Sequence, residues 1–232
     1  MFDDFKEILD AIFQGTCKIN LDERLRLKCS VPNNPEREIY RGNDMKPTLK
    51  MNLTGYHVLN EVVADRGPSP YAIQLEVFFD GQFMTTLVGD GLIIATPTGS
   101  TAYNLSAGGS IIQANTQCIS IAPLAPHSLS FRPLIVPVST VITLRKPVDN
   151  RSSAWISLDG ATRFELKDGE EVVIEGSDST LSMVVNQTNN MMMLWSKRLV
   201  HMLNWNQREV MKPLTKQLIS DANNNSSPES NQ

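Results

Sequence analysis

The residues best equipped for chemistry in this 232-residue sequence lie in two neighbouring runs, Gly89-Asp90-Gly91 and Ala95-Thr96-Pro97-Thr98-Gly99-Ser100-Thr101-Ala102-Tyr103-Asn104. Between them Leu92-Ile93-Ile94-Ala95 is short, apolar and partly β-branched, which predicts a buried strand. Pro97 ends that strand, and Gly99 allows a tight turn or a close backbone approach. Ser100 or Thr101 is suited to cap a helix whose early residues are Ala102, Tyr103 and Asn104. Backbone N–H groups and hydroxyls converging at such a point suit ribose hydroxyls, an adenine edge or phosphates. The run lacks the lysine with which a P-loop reaches phosphate oxygens, so Walker-type binding is not expected. An ordinary capped helix after a strand has the same spacing, and spacing alone leaves both readings open.

A second polar pair, Asn60-Glu61, precedes an apolar stretch. The amide both donates and accepts, and the carboxylate accepts from hydroxyls, so the pair suits a dinucleotide; a polar strand end is the plainer reading. Cys17, Cys29 and Cys118 are odd in number and widely spaced, which fits neither a disulfide framework nor a zinc site. His57, His127 and His201 are equally dispersed, without metal-ligand spacing on a helix.

The run Thr96 to Gly109, Gly89-Asp90-Gly91 and Leu59-Asn60-Glu61-Val62-Val63 resemble the NAD kinase family. Ala125-Pro126-His127-Ser128-Leu129-Ser130-Phe131-Arg132-Pro133 and Trp155-Ile156-Ser157-Leu158-Asp159-Gly160 follow in the order and approximate spacing of that family's carboxyl-terminal domain. The resemblance covers about residues 1 to 205. It implies ATP-dependent phosphorylation of the adenosine ribose 2′-hydroxyl of NAD, giving NADP, with a divalent metal such as Mg²⁺ accompanying ATP. It also implies a site in which Asn60, Glu61, Thr101, Ala102, Tyr103, Asn104 and Ser106 contact NAD and Asp159 lines the substrate pocket. Asp90 and Ala125 match positions that approach NAD from a neighbouring subunit, which implies a homo-oligomer. His127 shares that context, and Tyr71 is added by its distance from Asn60.

The family's amino-terminal α/β domain, with its Gly-Gly-Asp-Gly-Thr motif, has no counterpart in the sequence, and that motif supplies the aspartate expected to activate the 2′-hydroxyl. Phosphoryl transfer depends on positioning and charge stabilisation, so the chain alone is expected to bind better than it catalyses, with no catalytic residue of its own. The other readings are a noncatalytic nucleotide-binding or oligomerising subunit that modulates a full-length kinase, and a lipid kinase of distant core, which the motifs resemble less closely.

Composition bounds these readings. A hydrophobic content of 41% over 232 residues supports one sizeable core or two small ones. A net charge of −4 offers no basic footprint for nucleic acid. No apolar run approaches the roughly 20 residues that span a bilayer, and the acidic, amphipathic start is unlike a secretory signal, so the cytosol is the expected compartment.

The elements that must position these groups read as mainly β: an antiparallel sandwich or stacked sheets, with an N-terminal helix, a short helix after the Thr96–Tyr103 turn and a C-terminal helix. Phe2, Phe5, Ile8, Leu9, Ile12 and Phe13 recur at helical intervals, with Gly15 as the stop. Loosely alternating residues from Cys17 to Val31 suggest two strand segments, and residues 32–51 read as a polar loop or insertion. Strands follow at His57–Val63, Ala72–Phe79, Gln82–Leu87, Ile119–Ala122, Leu134–Pro137 and Val141–Leu144, then Ala154–Leu158, Arg163–Leu166, Glu171–Ile174 and Ser182–Val185. Asp80-Gly81 has the chemistry of a two-residue type I′ hairpin turn. Met192, Trp195, Leu199, Met202 and Leu203 mark a core-packing helix over Met191 to Leu203. The resemblance implies that this terminal segment packs on the amino-terminal domain, and without it apolar surface is expected to promote association. Residues 1–205 are thus one NAD-binding domain, 206–222 an extension and 223–232 a disordered tail.

Overall fold

The computed structural model describes residues 9, 10, 12–16, 20–41, 44, 46–148, 152–185 and 191–204. The chain divides into two units, Met1–Gln187 and Thr188–Gln232. In the first unit sixteen strands form three sheets among the described residues, and every pairing is antiparallel. An eight-stranded sheet carries β3 (Glu36–Arg41), β4 (Leu49–Asn52), β6 (Glu61–Asp65), β9 (Gly91–Ala95), β10 (Cys118–Leu124), β11 (Leu134–Pro137), β13 (Ala154–Leu158) and β14 (Thr162–Leu166). Its order is β11-β10-β9-β6-β13-β14-β3-β4. A six-stranded sheet is ordered β5-β2-β15-β12-β7-β8, from β2 (Leu27–Ser30), β5 (Tyr56–Val58), β7 (Ile73–Phe79), β8 (Gln82–Gly89), β12 (Ile142–Arg145) and β15 (Glu171–Gly176). The third sheet is a ribbon of β1 (Asn20–Arg24) and β16 (Leu181–Val185).

The two large sheets share one core. Val62, Ala64, Leu92, Ile94, Ile121, Ile156 and Phe164 from the first pack with Leu27, Ile73, Leu75, Leu87, Ile142, Leu144 and Ile174 from the second. Alternation along each strand sends these residues to one face. At the centre of the eight-stranded sheet the other face is buried as well: Val63, Ile93, Ala95 and Ala122 pack with Ala107 and Leu124. Every residue of β9 is therefore buried, which explains why Leu92-Ile93-Ile94-Ala95 reads as a continuous apolar run.

Most expected strands are present, with ends shifted by a residue or two. The Asp80-Gly81 turn has positive φ at both positions, 50° and 78°, as a type I′ turn requires. Residues 32–51 differ from the expectation of a loop, because β3 and β4 extend the edge of the large sheet there. In β3 the inward pair is Arg37 and Ile39 and the outward pair is Glu36 and Glu38, so a charged residue at an inward position hides the alternation. The expected strand His57–Val63 is broken at Leu59 and Asn60 into β5 and β6. Of the N-terminal helix, residues 9, 10, 12 and 13 are helical and Gly15 has φ 66°; Phe2, Phe5 and Ile8 lie outside the described residues. Cys17, the extension 206–222 and the tail 223–232 also lie outside them. In the second unit Met191–Leu203 is a helix as expected. Among the described residues no helix is long and apolar enough to cross a membrane.

Candidate functional site

The break between β5 and β6 is where the candidate residues begin to converge. Strand β6 lies between β9 and β13 in the sheet, with Glu61 opposite Ala95 and Val62 opposite Leu158. The turn after β9 and the turn after β13 thus reach the Leu59–Glu61 backbone from two sides. From the β13 side, Asp159 stands at φ 47° in the hairpin to β14. Its carboxylate accepts the N–H groups of Leu59 at 2.8 Å, Asn60 at 2.7 Å and Glu61 at 3.2 Å, and its own N–H donates to the Glu61 carbonyl at 3.1 Å. From the β9 side, the Thr96 hydroxyl donates to the Leu59 carbonyl at 2.6 Å and the Thr96 N–H to the Asn60 carbonyl at 2.8 Å. Two residues therefore engage all six backbone polar groups of the tripeptide.

Gly99 packs directly on this stretch. A Cβ there would lie against the Asn60 carbonyl oxygen, 2.5 Å from its carbon and 2.8 Å from its Cα, so the turn must be glycine to close. The Gly99 N–H donates to the Thr96 hydroxyl at 3.0 Å. Neither Ser100 nor Thr101 caps the following helix, contrary to the expectation from sequence. A 3₁₀ turn over Gly99–Thr101 leads into a four-residue helix, Tyr103–Ser106, with Ala102 at its N-cap and no side-chain cap. The Ser100 hydroxyl instead donates to the Pro97 carbonyl at 2.7 Å and accepts the Ile112 N–H at 3.0 Å. Asn104 is fully buried, its amide donating to the Ser100 and Ser110 carbonyls and accepting from the Ser120 hydroxyl at 3.0 Å. These bonds fasten the turn to β10.

The backbone is satisfied, but the side chains it presents are not. Glu61 is 8% exposed and its Oε2 is buried without a hydrogen-bond partner. Burial, and then the nearby charge of Asp159, push its carboxyl above the ordinary value of 4.5. Among the described residues the Asn60 amide bonds to nothing, and Tyr103 is 46% exposed beside half-buried Thr101 and Ala102 and exposed Ser106. The arrangement offers an acceptor, an amide and an aromatic face on a rigid backbone. That set suits a ligand rich in hydroxyls and amides.

Residues 59–186, more than half of the chain, match the ATP-NAD kinase C-terminal domain. The chain belongs to that family. It is 42% identical over 212 residues to an ATP-NADH kinase of Saccharomyces cerevisiae and 40% identical over 214 residues to an NAD(+) kinase of the same yeast. Those alignments cover 91% and 92% of this chain, which spans only 42% and 39% of the relatives' lengths. Among solved structures, yeast NADH kinase complexed with NADH superposes with a TM-score of 0.69 at 30% identity, over 91% of this chain and 56% of that one. An Archaeoglobus fulgidus NAD kinase, solved in complex with ATP, shares the fold with a TM-score of 0.61 at 23% identity, over 83% of this chain and 65% of that one.

In this NAD kinase domain the candidate residues fall into two groups at opposite ends of β9. Asn60, Glu61, Asp159 and the run Thr101, Ala102, Tyr103, Asn104 and Ser106 lie at its C-terminal end, whereas Asp90 immediately precedes its first residue. Asp90 donates its N–H to the Leu124 carbonyl at 2.9 Å, which places exposed Ala125, at φ 42°, beside it. Arg66 pairs with Asp90 at 3.1 Å and donates to the Ser69 carbonyl at 2.6 Å, so the loop carrying exposed Tyr71 belongs to this end too. Five residues of strand separate the ends by about 16 Å. His127 is exposed next to Ala125, its N–H donating to the Val88 carbonyl at 2.8 Å.

Sequence reasoning foresaw a tight turn or close approach at Gly99, which the structure directs at the Asn60 backbone, but it missed the positioning role of Thr96 in the same motif and it missed Arg66, which no motif marks. Among the described residues no three His, Cys, Asp or Glu side chains converge as metal ligands. Both Asp159 oxygens are already engaged and Glu61 has no second free carboxylate beside it, so these residues do not fit a resident Mg²⁺ site.

Proposed function

We propose that the chain is the dinucleotide-holding part of an NAD kinase, which transfers the γ-phosphoryl group of ATP to the adenosine ribose 2′-hydroxyl of NAD, giving NADP and ADP. The observation that carries this reading is the buried, unpartnered Glu61 Oε2 beside the free Asn60 amide, on a backbone gripped from both sides. Glu61 accepts from ribose hydroxyls, and Asn60 donates to and accepts from the ligand. Thr101, Ala102, Tyr103 and Ser106 form the adjoining wall, with the Tyr103 ring as a stacking surface. Asn104 holds this wall in place from beneath.

Asp90 and Ala125 complete the site from a second copy of the chain, as the resemblance implies, with Tyr71 at the same end; their separation of about 16 Å of strand from the same copy's Asn60 and Glu61 supports this reading. The divalent ion enters with ATP. The reaction is assigned to the cytosol.

The test is NADP formation from NAD, ATP and Mg²⁺, run on this chain and on a version extended upstream, beside calorimetric titration with NAD. Activity of the extended version, with NAD binding by both, is the expected result. Inactivity of both sinks the kinase reading, and turnover by this chain alone overturns the view that its catalytic aspartate lies elsewhere.

A further inference from the structure

We infer that Asp159 is a positioning residue of the dinucleotide site: its carboxylate holds the Leu59–Glu61 backbone and so aims Asn60 and Glu61, without touching the ligand itself. The inference rests on the dinucleotide reading above. Asp159 Oδ1 accepts from the Asn60 and Glu61 N–H groups and Oδ2 from that of Leu59, at 2.7, 3.2 and 2.8 Å. An ionised carboxylate has about four acceptor positions, and three successive amides occupy three of them. Leu59 and Asn60 lie in a bend between two strands, where the regular ladder is interrupted. The charge of Asp159 replaces the ladder there with charge-assisted bonds. Thr96 takes the opposing carbonyls of Leu59 and Asn60, so the peptide planes on which both side chains hang are held from two directions.

Asp159 also acts on Glu61 through its field, being the one described charged group that adds to burial in raising the Glu61 carboxyl. A residue that only stabilised the fold would leave the protonation of Glu61 and the affinity for NAD unchanged. Position and charge therefore reach the ligand through the same neighbour.

The experiment compares the full chain with Asp159→Asn, alone and in an Asn60→Ala/Glu61→Gln background, well below the unfolding midpoint. In ligand-free protein, Asp159→Asn is expected to lose amide-exchange protection at Leu59, Asn60 and Glu61. It is expected to weaken NAD binding at least tenfold and to move the pH at which affinity falls to a lower value. In the doubly substituted background, where the aimed side chains are gone, the same change is expected to alter NAD affinity less than twofold. An equal loss in both backgrounds makes Asp159 a direct contact and overturns the inference. Unchanged affinity with lost amide protection makes it a fold residue only and also overturns it. If the unsubstituted chain binds no NAD, the dinucleotide reading fails, while amide exchange still decides the backbone grip. Should Asp159→Asn lose cooperative unfolding, Thr96→Val releases the tripeptide from the other side, and unchanged NAD affinity there likewise counts against the inference.

Discussion

Replacing Gly99 by alanine tests the close approach on which the site is built. The added methyl would lie against the Asn60 carbonyl oxygen, 2.5 Å from the carbonyl carbon and 2.8 Å from the Cα, and none of these atoms belongs to a flexible side chain. Forcing an extra carbon into a packed position costs about 1 to 3 kcal/mol. If the turn backs away from β6, it also strains the Thr96 N–H bond to the Asn60 carbonyl and the Gly99 N–H bond to the Thr96 hydroxyl. Each such bond contributes about 0.5 to 1.5 kcal/mol net. The expected loss is thus about 2 to 6 kcal/mol, large against a typical domain stability of about 5 to 15 kcal/mol.

Gly55→Ala is the control, because its new methyl would meet only the Lys28 side chain, at 3.2 Å from Cε, and that chain can move. Urea unfolding of both variants, with NAD titration at low denaturant, reads the outcome. Gly99→Ala is expected to lose stability and NAD affinity together, and Gly55→Ala to stay within about 0.5 kcal/mol of the unsubstituted chain. Two results refute the reasoning: a Gly99→Ala stability within that same margin, or a large stability loss with NAD affinity intact.

Mixing separately purified Asp90→Ala and Glu61→Ala chains, each a weak NAD binder alone, is expected to restore about a quarter of the sites in calorimetry. Half the random pairs then hold one site with both native halves; no recovery on mixing removes the shared-site geometry. Glu61→Gln carries a pH signature whose sign follows from its raised carboxyl. A group whose folded pKa lies above its unfolded one stabilises fully below the unfolded value of 4.5 and loses that contribution as pH rises through the folded value. Relative to the native chain, Glu61→Gln should therefore gain stability as pH rises above 4.5, in thermal unfolding read across pH, whereas a flat difference argues against the raised value. Asn104→Ala removes one fully buried amide and strands the Ser100 and Ser110 carbonyls and the Ser120 hydroxyl. A loss of about 2 to 4 kcal/mol in urea unfolding is expected, with Ser120→Ala, which frees one bond only, costing less.

Legibility from sequence followed the range of the forces involved. The Asp80-Gly81 turn was readable because its φ values of 50° and 78° are a local demand that those two residue types meet. Strand β9 was readable because burial on both faces leaves an unbroken apolar run. Strand β3 was not, since its inward Arg37 pairs through one guanidinium nitrogen with Glu170, 2.9 Å away, and the pairing of residues 133 apart leaves no periodic trace. The hydroxyls of the motif were readable as hydrogen-bonding groups, but their partners were not. Ser100 serves Ile112 instead of a helix cap, and Asp159 reaches amides 98 to 100 residues away.

The same strand that makes the fold rigid also separates the two groups of candidate residues. Because β9 is buried on both faces and paired on both edges, its ends cannot approach each other without breaking the sheet. Asp90 and the Asn60–Glu61 pair are therefore held at a fixed separation of about 16 Å in every copy. A two-fold pairing of copies that sets one Asp90 end against the other's Asn60 end must make that contact twice, with the axis passing midway between the two groups. Small changes at either end of β9 then act on both sites equally. A substitution that bends the strand, such as Ile93→Gly, should weaken both sites in parallel and leave no half-competent species to titrate.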